Sequence, residues 1–550
     1  MLKTRSLAIA VALLMAACGS YNNKSGDSGY LVDNPALYED PSAVSVASVS
    51  VSIPKPNPLM CRPFNNLSAP PRPCTLDDIK HDTNPEDDYK PQIQVSLRLV
   101  DNNIFDLTGR MSQKGKSTRK APQKSFRIKL DPVGDDSAPY NGEATLQLNK
   151  HPYDRTRMRN KLFFDFFVDV PGFNSLRTKF FDMDIDGKYY GLFTHIERVD
   201  AHYLARRGLP IDGRIYKAQD FAFMNLPEMA VDSDGKPVNK SAFNAHLEIQ
   251  NGKNHKNVAR MLAAIERAKS DGEFMKVFNT YFDRENYLTW LAVNFVTGNR
   301  DTINQNFYLY NPKDSKKFFF IPWDYDGASR DIHKSPEWEW GYSLYWGIPL
   351  HRKFLSIAQN RQDLLARVQE VHQIINSASV AARMGMYRPI VEPRIRKLPD
   401  SAHLTYDRWQ KEYNLLIPRI DQNVQLLFAR VGYPMPFWQE VSYDDGLILK
   451  WEESIDLEGD AVVYDVRVAD NPAFKHPIID QKGLDGSVLK IANQTVRWET
   501  GRKVGPGRYF MEVIARERDN PAHYQKAFDV YEGPNDTVYF GVLEFTIGSK

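Results

Sequence analysis

At Gly432-Tyr433-Pro434-Met435-Pro436 the character of the chain changes, and this break limits the possible folds more than any other feature. Two prolines and a glycine within five residues end a helix and interrupt a ladder of strand hydrogen bonds. Before the break, alternating apolar runs come first and long helical patterns follow. After it, only strand patterns occur, punctuated by turns. That order implies a two-lobed α+β domain followed by a separate all-β domain.

The individual elements follow from apolar spacing. Strands are expected at 93–100 and 125–130. The Phe-rich stretch 157–168 reads as a helix, and 180–185 and 189–196 read as strands joined by the turn Asp186-Gly187. Helical spacing marks 257–269 and 284–297, short strands mark 307–310 and 317–322, and longer helices are expected over 355–386 and 402–431. Beyond the break, 447–451 and 462–468 alternate. There Gly507-Arg508-Tyr509, with Val513 and Ala515, resembles the late strand of a fibronectin type III domain, with Trp451 as the early core Trp.

The N-terminus carries an export signal. Lys3 and Arg5 precede the apolar run from Leu7 to Met15, which ends in Ala16-Ala17-Cys18. The run is too short for a transmembrane helix. Cys18 after two alanines resembles a bacterial lipobox, so a lipid on Cys18 is expected to anchor the chain in the cell envelope. Gly19 and Ser20 point to the outer membrane or cell surface. The remaining cysteines, Cys61 and Cys74, are expected to pair in an oxidising compartment. The division predicted is a signal peptide over 1–18, a flexible Pro/polar tether over 19–91, an α+β domain over 92–432 and a β-sandwich over 437–550. A formal net charge of +2 gives no reason to expect a nucleic-acid partner.

The chemistry-bearing segment is Asn299-Arg300-Asp301-Thr302-Ile303-Asn304-Gln305-Asn306. It matches R-D-x-x-x-x-N, the catalytic-loop pattern of kinases. In that pattern the Asp takes or orients the proton of an attacking hydroxyl, and the Asn reaches a metal that bridges nucleotide phosphates. Downstream, the strand Phe318-Phe319-Phe320-Ile321 runs into Pro322-Trp323-Asp324-Tyr325-Asp326-Gly327. An acidic residue at the end of such a strand is where a kinase holds its metal. Asp324, Asp326 and Asn306 offer hard oxygen ligands suited to Mg²⁺ or Mn²⁺.

These segments, together with Lys114-Gly115-Lys116-Ser117-Thr118, Pro122-Gln123-Lys124-Ser125-Phe126-Arg127 and Tyr190-Gly191-Leu192-Phe193 with Glu197, resemble the spore-coat protein H (CotH) family of atypical protein kinases. The resemblance spans about 92–431. It implies an atypical kinase core, ATP and Mg²⁺ or Mn²⁺ as cofactors, and a protein substrate on the cell surface or envelope. Carried over, Asp301 is the catalytic Asp, and Asp324, Asn306 and Asp326 are the metal ligands. Lys124 contacts nucleotide phosphates, with Arg127 and then Lys129 behind it on the same strand. Glu197 marks the hinge that holds adenine. The sequence departs from the family pattern at Lys114, Lys116 and Gln123, where Arg, Asn and Lys are usual. It has neither a G-x-G-x-x-G loop nor a V-A-I-K strand.

Two other readings stand beside an active kinase transferring phosphate to Ser or Thr. One is a catalytically weak core displayed as a surface binding module. The other is metal-dependent hydrolysis at the Asp324/Asp326 pair, which no His-rich cluster in the sequence accompanies.

Overall fold

The first lobe is a closed seven-stranded barrel. Its strands are β1 (Val46–Ser52), β2 (Ile93–Val100), β3 (Ile104–Lys114), β4 (Ser125–Leu130), β5 (Thr145–Asn149), β6 (Thr178–Ile185) and β7 (Lys188–Ile196). The computed structural model describes residues 33–40, 43–84, 89–330 and 336–548. Cys18 lies outside the described residues. Period-two alternation sends Val49, Val51, Val95, Leu97, Met111, Phe126, Ile128, Leu148 and Phe181 into one apolar interior.

The tether expected over 19–91 is corrected here from Val46 onward. β1 pairs antiparallel with β2 and parallel with β6, so Val49 faces Leu99 on one side and Met183 on the other. Ser48, Ser50 and Ser52 are the solvent-facing half of a strand whose other half is apolar. After β1, Met60–Cys61 and Arg72–Pro73 form a short antiparallel pair, and Cys61 and Cys74 are joined as a disulfide with Cα atoms 5.2 Å apart. Thr75 and Asp78 then form a capping box on the helix Leu76–Lys80.

The second lobe is largely helical. It contains α1 (Arg159–Phe167), α2 (Lys256–Arg267), α3 (Asp271–Tyr281), α4 (Arg284–Thr297), α5 (Pro349–Ser356), α6 (Ala358–Ile374), α7 (Ser377–Ile395) and α8 (Tyr406–Ala429). The helix expected as one piece over 355–386 is three, broken at Ile357 and again at Asn376, whose side chain caps α7. A four-stranded sheet lies among the helices. Its strands are β8 (Arg214–Ala218), β9 (Leu247–Asn251), β10 (Phe307–Asn311) and β11 (Phe319–Pro322), in the order β9-β8-β10-β11. A large aromatic core, including Trp290, Phe307, Phe320, Tyr287 and Tyr325, joins sheet and helices.

The C-terminal domain is a two-sheet sandwich of β12 (Gln439–Tyr443), β13 (Leu447–Glu452), β14 (Val462–Ala469), β15 (Ile479–Leu484), β16 (Lys490–Ala492), β17 (Thr495–Glu499), β18 (Gly507–Glu517), β19 (Tyr524–Lys526) and β20 (Val542–Ile547). One sheet runs β12-β13-β17-β16; the other runs β15-β14-β18-β19, with β20 also on β18. Trp451 is fully buried between them, edge-on to Tyr464 at 5.2 Å. The sandwich packs on the helical lobe: Trp338 meets Phe528 and Phe540, and Gln525 donates to Ser343 Oγ at 2.9 Å.

Candidate active site

The catalytic-loop segment begins where α4 ends. Gly298 takes a left-handed φ of 57° and closes the helix, a conformation glycine adopts without a Cβ clash. Asn299 is fully buried, and its side chain accepts the Asp301 N–H at the start of a short 3-10 turn, Arg300–Thr302. Arg300 pairs with Glu339 at 2.8 Å, lies over Trp340 and donates to Arg330 O at 3.3 Å, which ties its side chain to a neighbouring loop. Asp301 itself is partly open, with an exposed ion pair to Arg330 at 3.2 Å.

The acidic segment is brought to the same place by hydrogen bonds. β10 and β11 pair with Phe307 opposite Pro322, so Asn306 stands beside the Trp323–Asp324 end of the neighbouring strand. Asn306 and Asp324 both adopt left-handed backbone, with φ of 58° and 56°. Asn and Asp tolerate this region better than other non-glycine residues. Ser329 ties the segment to the end of α4 through its N–H to Gly298 O and its Oγ to Thr297 O, at 3.2 and 2.7 Å. A Cβ on Gly327 would stand 2.6 Å from Asp301 Oδ2, so the chain passes over Asp301 with room for a hydrogen only.

Asn160 on α1 fixes Asp324 from below. It donates to Asp324 Oδ1 at 3.3 Å and accepts the Tyr325 N–H at 2.6 Å. His151, with φ of 49°, places Nδ1 3.5 Å from Asp326 Oδ2. Its Nε2 is buried without a hydrogen-bond partner among the described residues. Burial and the neighbouring Asp326 raise the Asp324 carboxyl above its ordinary range, against the pull of Lys114 and His151.

Facing these carboxylates from the outer side of the barrel is Lys114, the last residue of β3. Its Nζ donates to Asn149 Oδ1 and lies 5.4 Å from the centre of the Trp323 ring. Lys217 on β8 approaches the same ring at 5.6 Å. Burial pulls Lys114 down to about 7, with Asp324 opposing and Arg127 and Lys217 adding repulsion. Two ammonium groups and two carboxylates thus converge where the barrel meets the small sheet.

Arg127 belongs to this surroundings, because it shares the outer face of β4 with Lys129 and perturbs both Lys114 and Lys217. Lys129 sits further along, in a basic groove of about 240 Å³ with Arg110, Arg127 and Arg198. Two expectations fail. Lys124 has the parity of the inward residues Phe126 and Ile128. Its Nζ donates to Arg119 O, and it lines a different cavity, about 200 Å³, with Tyr190, Phe193 and His403. Glu197 is fully buried with its oxygens taken by Arg206 and Arg207, and those arginines hold it strongly ionised, so it holds the fold rather than adenine. Sequence reasoning missed Lys217, His151 and Asn160, which lie far from both motifs in the chain. Lys114 was legible in principle as the outward end of an alternating strand.

The family model described as CotH kinase protein matches residues 111–427, more than half of the chain. Inner spore coat protein H of Bacillus subtilis (strain 168) is 28% identical over 264 residues, which cover 48% of this chain and 68% of that protein. Among solved structures, the Helicobacter pylori proinflammatory kinase CtkA aligns over 55% of this chain and 93% of its own at 12% identity and a TM-score of 0.28. HipA of Shewanella oneidensis MR-1, in a toxin-antitoxin complex with HipB and operator DNA, aligns over 52% and 59% at 12% identity and a TM-score of 0.27. At those scores the structural likeness carries no weight. With the matched region running from the end of β3 to the last turns of α8 and enclosing every residue of the site, the chain belongs to the CotH kinase family.

Proposed function

We propose that this protein is an envelope-anchored atypical protein kinase that moves the γ-phosphoryl group of ATP to a Ser or Thr hydroxyl of a surface protein. The observation that carries the reading is the opposition of Lys114 to Asp324 across the junction of barrel and sheet, with Asp301 directly beneath Gly327. Lys114 and Lys217 would bind and orient the phosphates as charge-assisted donors. Asp324, Asp326 and Asn306 fit Mg²⁺ or Mn²⁺, since all offer oxygen and two crowded carboxylates are relieved by a cation. That ion would supply neutralisation of the charge on the phosphate oxygens. Asp301 would take the hydroxyl proton as the new O–P bond forms and the bond to the leaving diphosphate oxygen breaks. The Arg330 pair does not block this role, because an exposed ion pair of this kind is worth about 0–1 kcal/mol. Anchoring would come from a lipid on Cys18, and a surface location is in keeping with a relative named as a spore coat protein.

The test is transfer of labelled phosphate from ATP with Mg²⁺ or Mn²⁺ to the protein itself and to a casein-like acceptor. Asp301→Ala and Asp324→Ala should each lower transfer at least about 100-fold. Nucleotide binding by the wild type without any transfer to either acceptor would favour the surface binding module.

A further inference from the structure

The loop Asp456-Leu457-Glu458-Gly459-Asp460, between β13 and β14, brings two carboxylates to a third, Glu517 at the end of β18. One oxygen from each lies within 4.8 Å of the others. Asp456 and Glu517 are 8% and 6% exposed, while Asp460 is open to solvent. Asp456 Oδ1 accepts the N–H groups of Glu458, Gly459 and Asp460 at 2.8, 3.0 and 3.3 Å. Its other oxygen, Oδ2, is buried with no hydrogen-bond partner among the described residues. A buried carboxylate oxygen without a donor is costly, and so are three carboxylates in one place. The nearby imidazole does not relieve Asp456: His523 Nδ1 donates to Glu517 Oε1 at 2.7 Å.

We propose that Asp456, Asp460 and Glu517 bind a calcium ion. The donors are all oxygen, and the Asp460 side is open, leaving room for the waters that complete a coordination number of six to eight. Magnesium demands a tight octahedron and usually takes only one or two carboxylates, and zinc prefers nitrogen and sulfur. The site lies outside the catalytic domain, and the inference does not rest on kinase activity.

Its position gives the ion a task. Leu457, inside the loop, packs on the core of the helical lobe, and its carbonyl accepts Arg361 Nη2 of α6 at 2.8 Å. Tyr433, in the linker between the domains, stacks on His523 at 4.4 Å. A cation joining loop to β18 would therefore stiffen the joint between the catalytic domain and the sandwich.

The full-length protein, freed of metal by a chelator and kept without nucleotide, is titrated with Ca²⁺ by calorimetry, and its melting and its cleavage by protease at 432–436 are followed. Ca²⁺ should bind, raise the melting midpoint of the sandwich and slow cleavage of the linker. Asp460→Asn should weaken binding at least tenfold; because Asp460 is exposed, this variant tests the site without disturbing the core. Glu517→Gln should abolish binding. No Ca²⁺ heat in the wild type, wild-type affinity in Asp460→Asn, or an equal rise in the melting midpoint of the sandwich with Mg²⁺ at the same concentration would overturn the assignment. Cleavage indifferent to bound Ca²⁺ would overturn the bracing of the joint.

Discussion

Lys150 Nζ and Asp400 Oδ1 lie 2.8 Å apart with only 2% and 1% of their side chains exposed. Lys150 follows the last strand residue of β5, and Asp400 sits in the turn after α7, so the pair rivets barrel to helical lobe. Asp400 also accepts Gln123 Nε2 and the Leu192 N–H, and Lys150 donates to the carbonyls of Tyr190 and Leu192. Gly191 is glycine because a Cβ there would collide with both partners. Asp400→Ala strands a buried ammonium and should cost about 3–5 kcal/mol, read from urea unfolding. Asp400→Asn, which keeps an acceptor and a similar shape, should lie between it and the wild type.

The two lysines of the N-terminal motifs should separate cleanly. Lys114→Met removes the ammonium opposite Asp324 and should weaken ATP binding about 10- to 100-fold, the value of one charge-assisted hydrogen bond. Lys124→Met, on the inward parity of β4, should bind ATP within about twofold of the wild type. Titration with a fluorescent nucleotide distinguishes them, and a large effect of Lys124 would remove the site from where we place it.

Gly327 tests the packing of the two aspartate segments. Its backbone is not left-handed, so Gly327→Ala acts through a methyl that meets Asp301 Oδ2 and the guanidinium of Arg330 paired with it. Displacing that carboxylate by about 1 Å should lower the transfer rate about 100-fold. ATP affinity, set by Lys114 and Lys217, should stay within a few-fold.

Acid should destabilise the helical lobe through its buried imidazoles. His351 is fully buried among Tyr287, Trp290, Phe223 and Tyr345, and its Nδ1 lies 2.6 Å from Tyr287 Oη. Burial lowers it to about 3, and His255, beside Tyr216, is lowered to about 4. Below about pH 6.5 the unfolded chain binds protons that the folded chain refuses. Stability is therefore full above that pH and falls as pH drops toward 3, by up to about 1.4 kcal/mol per pH unit for each histidine. His351→Phe should lose one such contribution, giving a shallower dependence of the melting midpoint between pH 6 and 4.5 even if its midpoint at pH 7 is lower.

Elements whose own side chains set their period were readable: β2, β4 and α4 fall where their apolar spacing puts them. β1 was not, since Val and Ser alternate within a Pro-rich polar stretch whose composition resembles a linker; only the partners in β2 and β6 reveal it. That the segments holding Asp301, Asn306, Asp324 and Asp326 adjoin was legible because their spacing is local. Lys217, His151 and Asn160 were not, because three separate elements deliver them. Lys124 and Glu197 misled for opposite reasons: one has the wrong parity for the cleft, and the other is neutralised by arginines that lie beyond it in the chain.

The parallel seam between β1 and β6 has a consequence for how the molecule comes into being. Val46 must wait for Phe180 before the barrel can close. In a chain made N-terminus first, Ala47, Val49 and Val51 are complete long before their second partner exists. Until then β1 is at most the open edge of an unfinished sheet, and such an edge recruits other chains. Contacts this distant in sequence also form slowly. This lobe is therefore most exposed to aggregation during the interval before its sixth strand arrives, and a chaperone that shields its first strand would act there.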